Sequence, residues 1–248
     1  MKFKLQLVFL LSIILNTNAQ EINYTVKVEY LTTIDWEVPK SYNSTLYLND
    51  STSLFILKNT GESKINNNIE DKTFNLFIGS EIPNFYINNN NHFICSEQIF
   101  DKHFIVKDTI TKIKWKLSNE TKRINKYLCK KAIGEFRGRT YNAWFTEEIP
   151  INKGPWKLNG LPGLIIEVTD NLNEVKFELS SLKNINETID VDIKNKKQIS
   201  WEEYKITERK KIKAFRAFME SSNSGNDVTV KIDSIKSIEK VYFNEIDY

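Results

Sequence analysis

Side chains that could do acid–base or metal chemistry are scarce in this chain of 248 residues. Its only two histidines, His92 and His103, stand in no metal-ligand or catalytic motif. Glu167 and Asp170 follow the start of one predicted strand, and paired carboxylates serve acid–base chemistry only at the right separation. A strand surface and a turn explain both positions. The sequence therefore predicts a protein that is not an enzyme, with no catalytic residues, no metal site and no cofactor.

The predicted strand 140–145 and the hairpin before it carry residue types that are typical of binding surfaces and not of catalytic sites. Alternation along a strand places Trp144 with the polar side chains and Tyr141 on the opposite face. Arginine and tryptophan are enriched among the residues that contribute most to binding. The candidate binding surface consists of Arg137, Arg139, Tyr141, Trp144 and Trp156. In the alternative interpretation, Trp144 and Trp156 only fold the long loop 147–163 onto the sheet.

The segment 160–165 is predicted to be a turn that leads into a strand. Pro162 presets φ for the second position of a β-turn, and Gly163 is expected to supply a positive φ at the third. The apolar run 164–168 then predicts a buried strand. The structural motif consists of Gly160, Leu161, Pro162, Gly163, Leu164 and Ile165. Turn geometry and burial explain it as scaffold. A positive φ is also expected at Gly138, in the hairpin that lies beside the candidate surface.

Short segments of alternating polar and apolar residues, separated by turn residues, predict an antiparallel sheet. The predicted strands are 24–31, 45–48, 53–58, 73–79, 85–87, 92–95, 103–107, 113–117, 127–135, 140–145, 164–168, 175–179, 228–232 and 238–243. Residues 118–126 are predicted to be a polar turn. One helix is predicted at 200–221, because Ser200 and Glu203 form a capping box ahead of an apolar stripe. It is expected to cover one face of the sheet, with a membrane-surface or partner-binding helix as the alternative.

The N-terminus predicts export. Residues 1–19 combine a basic start, an apolar run from Leu5 to Leu15 and a small-residue cleavage site, as in a secretory signal peptide. The apolar run is short for a membrane span, so no integral membrane segment is expected in the mature chain. Residues 20–248 are predicted to form one domain, located in the periplasm or cell envelope, or secreted.

The charge balance argues against a nucleic-acid partner. The formal net charge of the whole chain is +3, and it falls further when Lys2 and Lys4 leave with the signal peptide. Binding to a phosphate backbone requires a concentrated basic surface. No nucleic acid is therefore expected among the partners.

Two cysteines, Cys95 and Cys129, both lie in the predicted exported part of the chain. An oxidising compartment favours pairing them. A bridge that closes about 35 residues would stabilise the fold by roughly 3–4 kcal/mol. Two separate buried thiols are the alternative, and a redox-active pair is less expected because the Cys-x-x-Cys spacing is missing.

The hexapeptide at 160–165 follows a run of residues in a distinctive order. Among them are Trp115, Tyr127, Cys129, Gly138, Tyr141, Trp144, Pro150 and Pro155. Together with the unaltered hexapeptide, these residues make 113–170 the strongest motif region, and it resembles the GLPGLI family of exported proteins, typical of Bacteroidota. That family has no settled activity, so the resemblance implies a compartment and a lineage rather than a reaction.

The step from the hexapeptide into a strand, after a strand that carries Tyr127 and Cys129, is more distantly similar to lipoprotein carriers of the LolA type. Such carriers imply a curved antiparallel half-barrel with helices over the concave face. The expected fold is therefore mainly β (α+β), a curved antiparallel sheet or half-barrel with one long C-terminal helix packed on one face. A shared fold does not fix function.

These observations favour an exported, non-catalytic binding protein whose partner is a hydrophobic small molecule or an outer-membrane protein. A carrier of this kind would hold an apolar cavity under the predicted helix. An exported hydrolase or accessory to proteolysis is one alternative, and it requires His92, His103, Glu167 and Asp170 to converge. A structural or adhesion module is another alternative, favoured by an exposed unpaired strand edge.

Overall fold

The computed structural model describes residues 22–35, 39–57, 85–89, 92–99, 102–109, 112–191, 193 and 196–222. The predicted signal peptide and the predicted strands at 73–79, 228–232 and 238–243 lie outside these residues. The division into residues 1–19 and one domain over 20–248 stays a prediction. Within the described residues, no helix is long and apolar enough to cross a membrane.

Twelve strands form one sheet, and one helix follows them. The elements are β1 (Ile22–Asp35), β2 (Pro39–Leu48), β3 (Thr52–Leu57), β4 (Phe85–Asn89), β5 (His92–Ile99), β6 (Lys102–Thr109), β7 (Lys116–Ile124), β8 (Tyr127–Phe136), β9 (Arg139–Thr146), β10 (Leu164–Asp170), β11 (Val175–Ile189), β12 (Lys197–Ser200) and α1 (Trp201–Ser222). The order across the sheet is β12-β6-β5-β4-β3-β2-β1-β11-β10-β9-β8-β7. Neighbours pair antiparallel, except that β12 runs parallel to β6.

Contacts between distant strands show that the sheet curls over on itself. Nine strand spacings separate β6 from β8, a distance of roughly 43 Å in a flat sheet. Nevertheless, the carboxylate of Asp108 on β6 lies 2.5 Å from the guanidinium of Arg137, just after β8. The ring centroids of Phe55 on β3 and Phe177 on β11 are likewise 6.0 Å apart. The prediction of a mainly β, curved antiparallel sheet with one C-terminal helix is confirmed, and the described sheet is not closed into a barrel.

One hydrophobic core fills the concave side of the sheet and draws on both of its halves. Phe55, Ala143 and Phe177 belong to it, and each is at most 1% exposed. Burying apolar surface stabilises a fold by about 25 cal/mol per Å², so curling allows a single large sheet to hide one face against itself. The half from β2 to β6 also buries apolar residues on its other face, because Leu54 and Ile105 belong to a second buried cluster.

The prediction for residues 113–126 was wrong in its boundaries. The segment predicted to be a polar turn is mostly strand β7, which runs to Ile124, and only Asn125 and Lys126 make the turn. In the described sheet β7 is an edge strand that pairs with β8 alone. Its side chains are mostly exposed, so the strand has little of the apolar alternation that predicts a sheet.

Helix α1 begins where the capping residues predict. The Ser200 hydroxyl accepts the backbone N–H of Glu203 over 3.1 Å, whereas the Glu203 carboxylate lies 3.6 Å from the Lys197 amine. The helix contacts β6 and β12. Trp201 and Tyr204 are buried, and Phe218 near the other end is exposed. The helix therefore packs on the sheet through its N-terminal turns.

The structure gives a different reason for Gly163 than the sequence did. Positive φ values occur at Gly138 and Gly160, as 74° and 92°, and not at Gly163. A Cβ atom at Gly163 would instead lie 2.0 Å from the carbonyl oxygen of Thr146. The expected positive φ is thus confirmed at Gly138 and wrong at Gly163, where the close approach of two backbone segments excludes a side chain.

The predicted disulfide is absent, since Cys95 and Cys129 are both buried and are not joined to each other. The two cysteines lie on β5 and β8, which are not neighbours in the sheet. The Cys95 sulfur is 3.8 Å from the carbonyl oxygen of Val106, and the Cys129 sulfur is 3.8 Å from that of Tyr127. Burial raises the pKa of the Cys129 thiol, which disfavours the reactive thiolate.

Replacing Gly163 by alanine should destabilise the fold far more than the same change at Gly160. At Gly163 the added Cβ meets backbone, and we expect a loss of about 3 kcal/mol or more in the free energy of unfolding. At Gly160 the nearest atom would be 3.9 Å away, so only the strain of a left-handed residue remains, about 1–2 kcal/mol. Urea denaturation followed by circular dichroism measures both losses. Equal losses would contradict the steric explanation.

Candidate functional site

The candidate site is built on the tight turn between β8 and β9. Its two central residues, Arg137 and Gly138, have φ values of 49° and 74°. Positive φ at both positions defines the hairpin turn that matches the natural twist of strands, and Asn-Gly is the usual sequence for it. A side chain as large as arginine is uncommon there. Such a residue persists where its surroundings hold it in place, so the contacts of Arg137 are of interest.

Arg137 connects three separate parts of the fold. Its guanidinium donates to the carboxylate of Asp108 on β6 over 2.5 Å. The guanidinium carbon lies 4.8 Å from the ring centroid of Trp201, the first residue of α1. Arginine over a tryptophan face is a favourable cation–π arrangement. The β8–β9 hairpin, the end of β6 and the start of α1 are therefore joined through one side chain.

A buried lysine lies behind this pair. Lys157 comes from the loop between β9 and β10, and its side chain is 0% exposed. Its amine lies 3.2 Å from the same Asp108 oxygen that Arg137 contacts. The amine is also 4.9 Å from the ring centroid of Trp201, 5.6 Å from that of Tyr86 and 5.8 Å from that of Trp156. A charge in the interior requires such a partner, so one buried carboxylate serves two cations.

A groove of about 850 Å³ opens beside this cluster. It lies between the β8–β9 hairpin, the segment 112–116 that leads into β7, and the start of α1. Asp108, Arg137 and Trp201 belong to its wall. The groove is thus formed where the two ends of the curled sheet meet the helix, and residues distant in sequence line it together.

Of the five residues of the predicted binding surface, Arg137 alone lines this groove. Arg139 is 4% exposed and holds Asp170 and Glu174 at 2.6 Å and 2.5 Å. Tyr141 and Trp156 are buried, with ring centroids 6.4 Å apart. The structure brings Arg137 and Trp156 to the same cluster, and it places Arg139 and Tyr141 in the interior.

Trp144 is half-buried and lies on the face of β9 opposite Ala143 and Phe145. The amine of Lys122 is 4.3 Å from the centroid of its ring, and the amine of Lys131 is 5.8 Å away. These lysines are in turn paired with Glu167 and Glu120, at 3.0 Å and 2.9 Å. Trp144 is therefore framed by two surface ion pairs and does not line the groove.

The hexapeptide at 160–165 packs as scaffold. Leu161, Leu164 and Ile165 are at most 2% exposed. The Tyr30 hydroxyl on β1 donates to the Ile165 carbonyl over 2.8 Å. Burial raises the pKa of Tyr30, so this donor keeps its proton over the ordinary pH range. The motif thereby holds the start of β10 against β1 and beneath the loop that carries Lys157.

The ionisable residues that a hydrolase would require do not converge. His92 pairs with Thr109, and His103 pairs with Gln98, so the histidines occupy opposite ends of the β5–β6 ladder. Glu167 is bound to Lys122 on the outer face, whereas Asp170 is buried beside Arg139. Within the described residues, no group of three His, Cys, Asp or Glu side chains could hold a metal ion.

The chain matches one family model and several solved structures. Residues 37–206 match the family model described as "N-glycanase peptide, N-terminal domain". Structures of PNGF-II in the C2 and P21 space groups align with a TM-score of 0.52 and 21% identity. The alignments cover 76% of this chain and 33% and 34% of PNGF-II. This chain therefore spans about a third of the length of PNGF-II, and at this identity the likeness shows the fold alone.

Other comparisons add little. A LolA superfamily protein from Nitrosomonas europaea aligns at 7% identity over 66% of this chain and 86% of its own, with a TM-score of 0.27 that carries no argument. No curated protein matches the chain.

Replacing Asp108 by asparagine should destabilise the fold by about 2–4 kcal/mol, because two cations lose their shared buried anion. Glu120→Gln is the control, since Glu120 forms a solvent-exposed ion pair with Lys131, and exposed ion pairs contribute little to stability. Thermal and urea unfolding measure both effects. If Asp108→Asn cost no more than the control, the carboxylate would not organise the site.

Proposed function

Because the chain belongs to the family described as the N-terminal domain of N-glycanase peptides, we propose that it is a non-catalytic binding domain. The ligand is a glycan or glycopeptide, and the binding site is the groove beside Arg137. The family name supports the ligand class, and the position and lining of the groove support the site. The activity of the longer relatives is not transferred, since this chain spans about a third of PNGF-II.

The observation that carries the proposal is the convergence of three elements around one groove of about 850 Å³. Ligand sites are concave, and a few placed polar groups in them fix the orientation of the ligand. Here Thr140 and Ser200, which each carry a hydroxyl group, line the groove together with the Arg137–Asp108 pair. Ser200 accepts the N–H of Glu203, so its own hydroxyl hydrogen can be donated to a ligand oxygen. Sugars present hydroxyl groups that suit such a wall.

The wall of the groove at the start of α1 mixes charged side chains, such as Lys112 and Arg137, with apolar ones, such as Ile133 and Trp201. A saccharide has both hydroxyl groups and apolar ring faces, so it suits this mixed wall better than the purely hydrophobic molecule expected from the sequence. The interior beside it is filled by aromatic rings. Trp156 lies 5.5 Å from Phe136 and 6.2 Å from Tyr86, measured between ring centroids.

The non-catalytic role is supported by the separation of the ionisable residues that a hydrolase would use. The two described histidines lie at opposite ends of one ladder, and Glu167 and Asp170 have different ionic partners. The charged side chains of edge strand β7, such as Lys122 and Arg123, oppose strand addition and so disfavour an adhesion module.

The proposal includes export of the protein from the cytoplasm. The resemblance of 113–170 to the GLPGLI family and the signal-like residues 1–19 support a protein of the periplasm, the cell envelope or the exterior. An outer-membrane glycoprotein is a partner that would combine the expected location with the proposed ligand.

Filling the groove should weaken binding without unfolding the domain. Thr140→Trp places a large ring in the groove, whereas Asn142→Trp makes the same change two residues along the same strand, outside the groove lining. Titration calorimetry of residues 20–248 with an asparagine-linked glycopeptide should show binding that only Thr140→Trp weakens, by at least about tenfold, or 1.4 kcal/mol. Circular dichroism checks that both variants fold.

Two outcomes would contradict the proposal. Absence of any glycopeptide binding by the unchanged protein would remove the ligand class. Release of free glycan from the glycopeptide, detected by mass spectrometry, would show that the domain is an enzyme.

A further inference from the structure

We propose that the groove selects saccharides that carry acidic groups, either carboxylates or sulfates. This inference rests on the proposed function, because it names the ligand of the same site. The observation that leads to it is the unequal distribution of charge along the groove.

Four lysines line the groove and supply its positive charge. They are Lys107 on β6, Lys112 and Lys114 in the segment before β7, and Lys116 at the start of β7. All four are exposed. Within the described part of the chain, none of them forms an ion pair with an acidic side chain.

The other charges of the groove offset this excess only in part. Asp108 and Arg137 are paired with each other at 2.5 Å. Glu202 is paired with Lys205 one helical turn further on, at 2.8 Å. Glu135 is the remaining acidic residue of the lining. The wall of the groove is therefore positive, although the whole chain is close to neutral, with 35 basic and 32 acidic residues.

Exposed lysines scattered over a surface are usually only solvated. The four lysines here are not scattered, because they line the same groove. They flank one groove whose base is fixed by the buried Asp108. The screening length is about 8 Å at physiological ionic strength, so several lysines around one groove act together on an anion bound within it. Hydroxyl donors and acceptors at Thr140 and Ser200 lie in the same lining, which favours a saccharide over a simple polyanion.

The test compares saccharides of equal length in calorimetry at low salt. Hexagalacturonate provides carboxylates, a heparin-derived hexasaccharide provides sulfates, and chitohexaose is neutral. We expect either acidic saccharide to bind at least about tenfold more tightly than chitohexaose, and 0.5 M NaCl to remove most of the difference because it screens the charges. The two acidic probes show which acidic group is preferred.

Paired variants locate the effect. Lys112→Gln with Lys114→Gln should remove the preference for acidic saccharides. The control is Lys210→Gln with Lys213→Gln, which removes two exposed lysines of α1 outside the groove lining and should leave the preference unchanged. An equal loss in both double variants would show a general charge effect and overturn the inference.

Failure of the inference is distinguishable from failure of the proposed function. If a neutral glycopeptide binds in the groove and acidic saccharides bind no more tightly, the inference is wrong and the proposed function stands. If no saccharide binds, both are wrong. A poly-glutamate peptide that binds as tightly as the acidic saccharides would also overturn the inference.

Discussion

The carboxylate of Asp108 joins the two halves of the curled sheet. It is buried on β6, yet its partners come from the opposite half of the sheet, since Arg137 follows β8 and Lys157 precedes β10. Burying the charges of Asp108 and Lys157 is costly unless each finds a partner, and the half-buried Arg137 adds a second cation to the same carboxylate. That requirement fixes how far the sheet must curl. Burial of the hydrophobic core favours curling of the sheet. The ion pairs of Asp108 with Arg137 and Lys157 align the end of β6 with the β8–β9 hairpin.

The groove follows from this alignment. Once the end of β6 meets the β8–β9 hairpin, the start of α1 is also fixed, because Trp201 lies over the guanidinium of Arg137. The unusual backbone conformation of Arg137 is maintained by the same contacts. The hexapeptide follows the Lys157 loop and is held in the core by buried leucines and the Tyr30 hydrogen bond. The motif that dominates the sequence is therefore part of the scaffold and does not line the groove.

Sequence patterns predicted the features that depend on neighbours along the chain. Alternation predicted the antiparallel sheet, Ser200 predicted the helix start, and Gly138 predicted the hairpin turn. Features that depend on distant strands were not accessible. Asp108 and Lys157 meet only because the sheet curls, and a lone acid or lysine carries no signal of that. The bridge between Cys95 and Cys129 was predicted from an oxidising compartment, and their spacing in the sequence does not reveal that β5 and β8 are not neighbours in the sheet.

Mapping the ligand by NMR would show whether the curled sheet forms one binding groove. Backbone amide shifts would be recorded for residues 20–248 while a soluble saccharide ligand is titrated. Binding in the groove predicts that the largest changes cluster at 112–116, 133–140 and 200–202, three segments distant in sequence. Changes centred instead on Trp144 and its lysines, or spread evenly over the sheet, would contradict a site at Arg137.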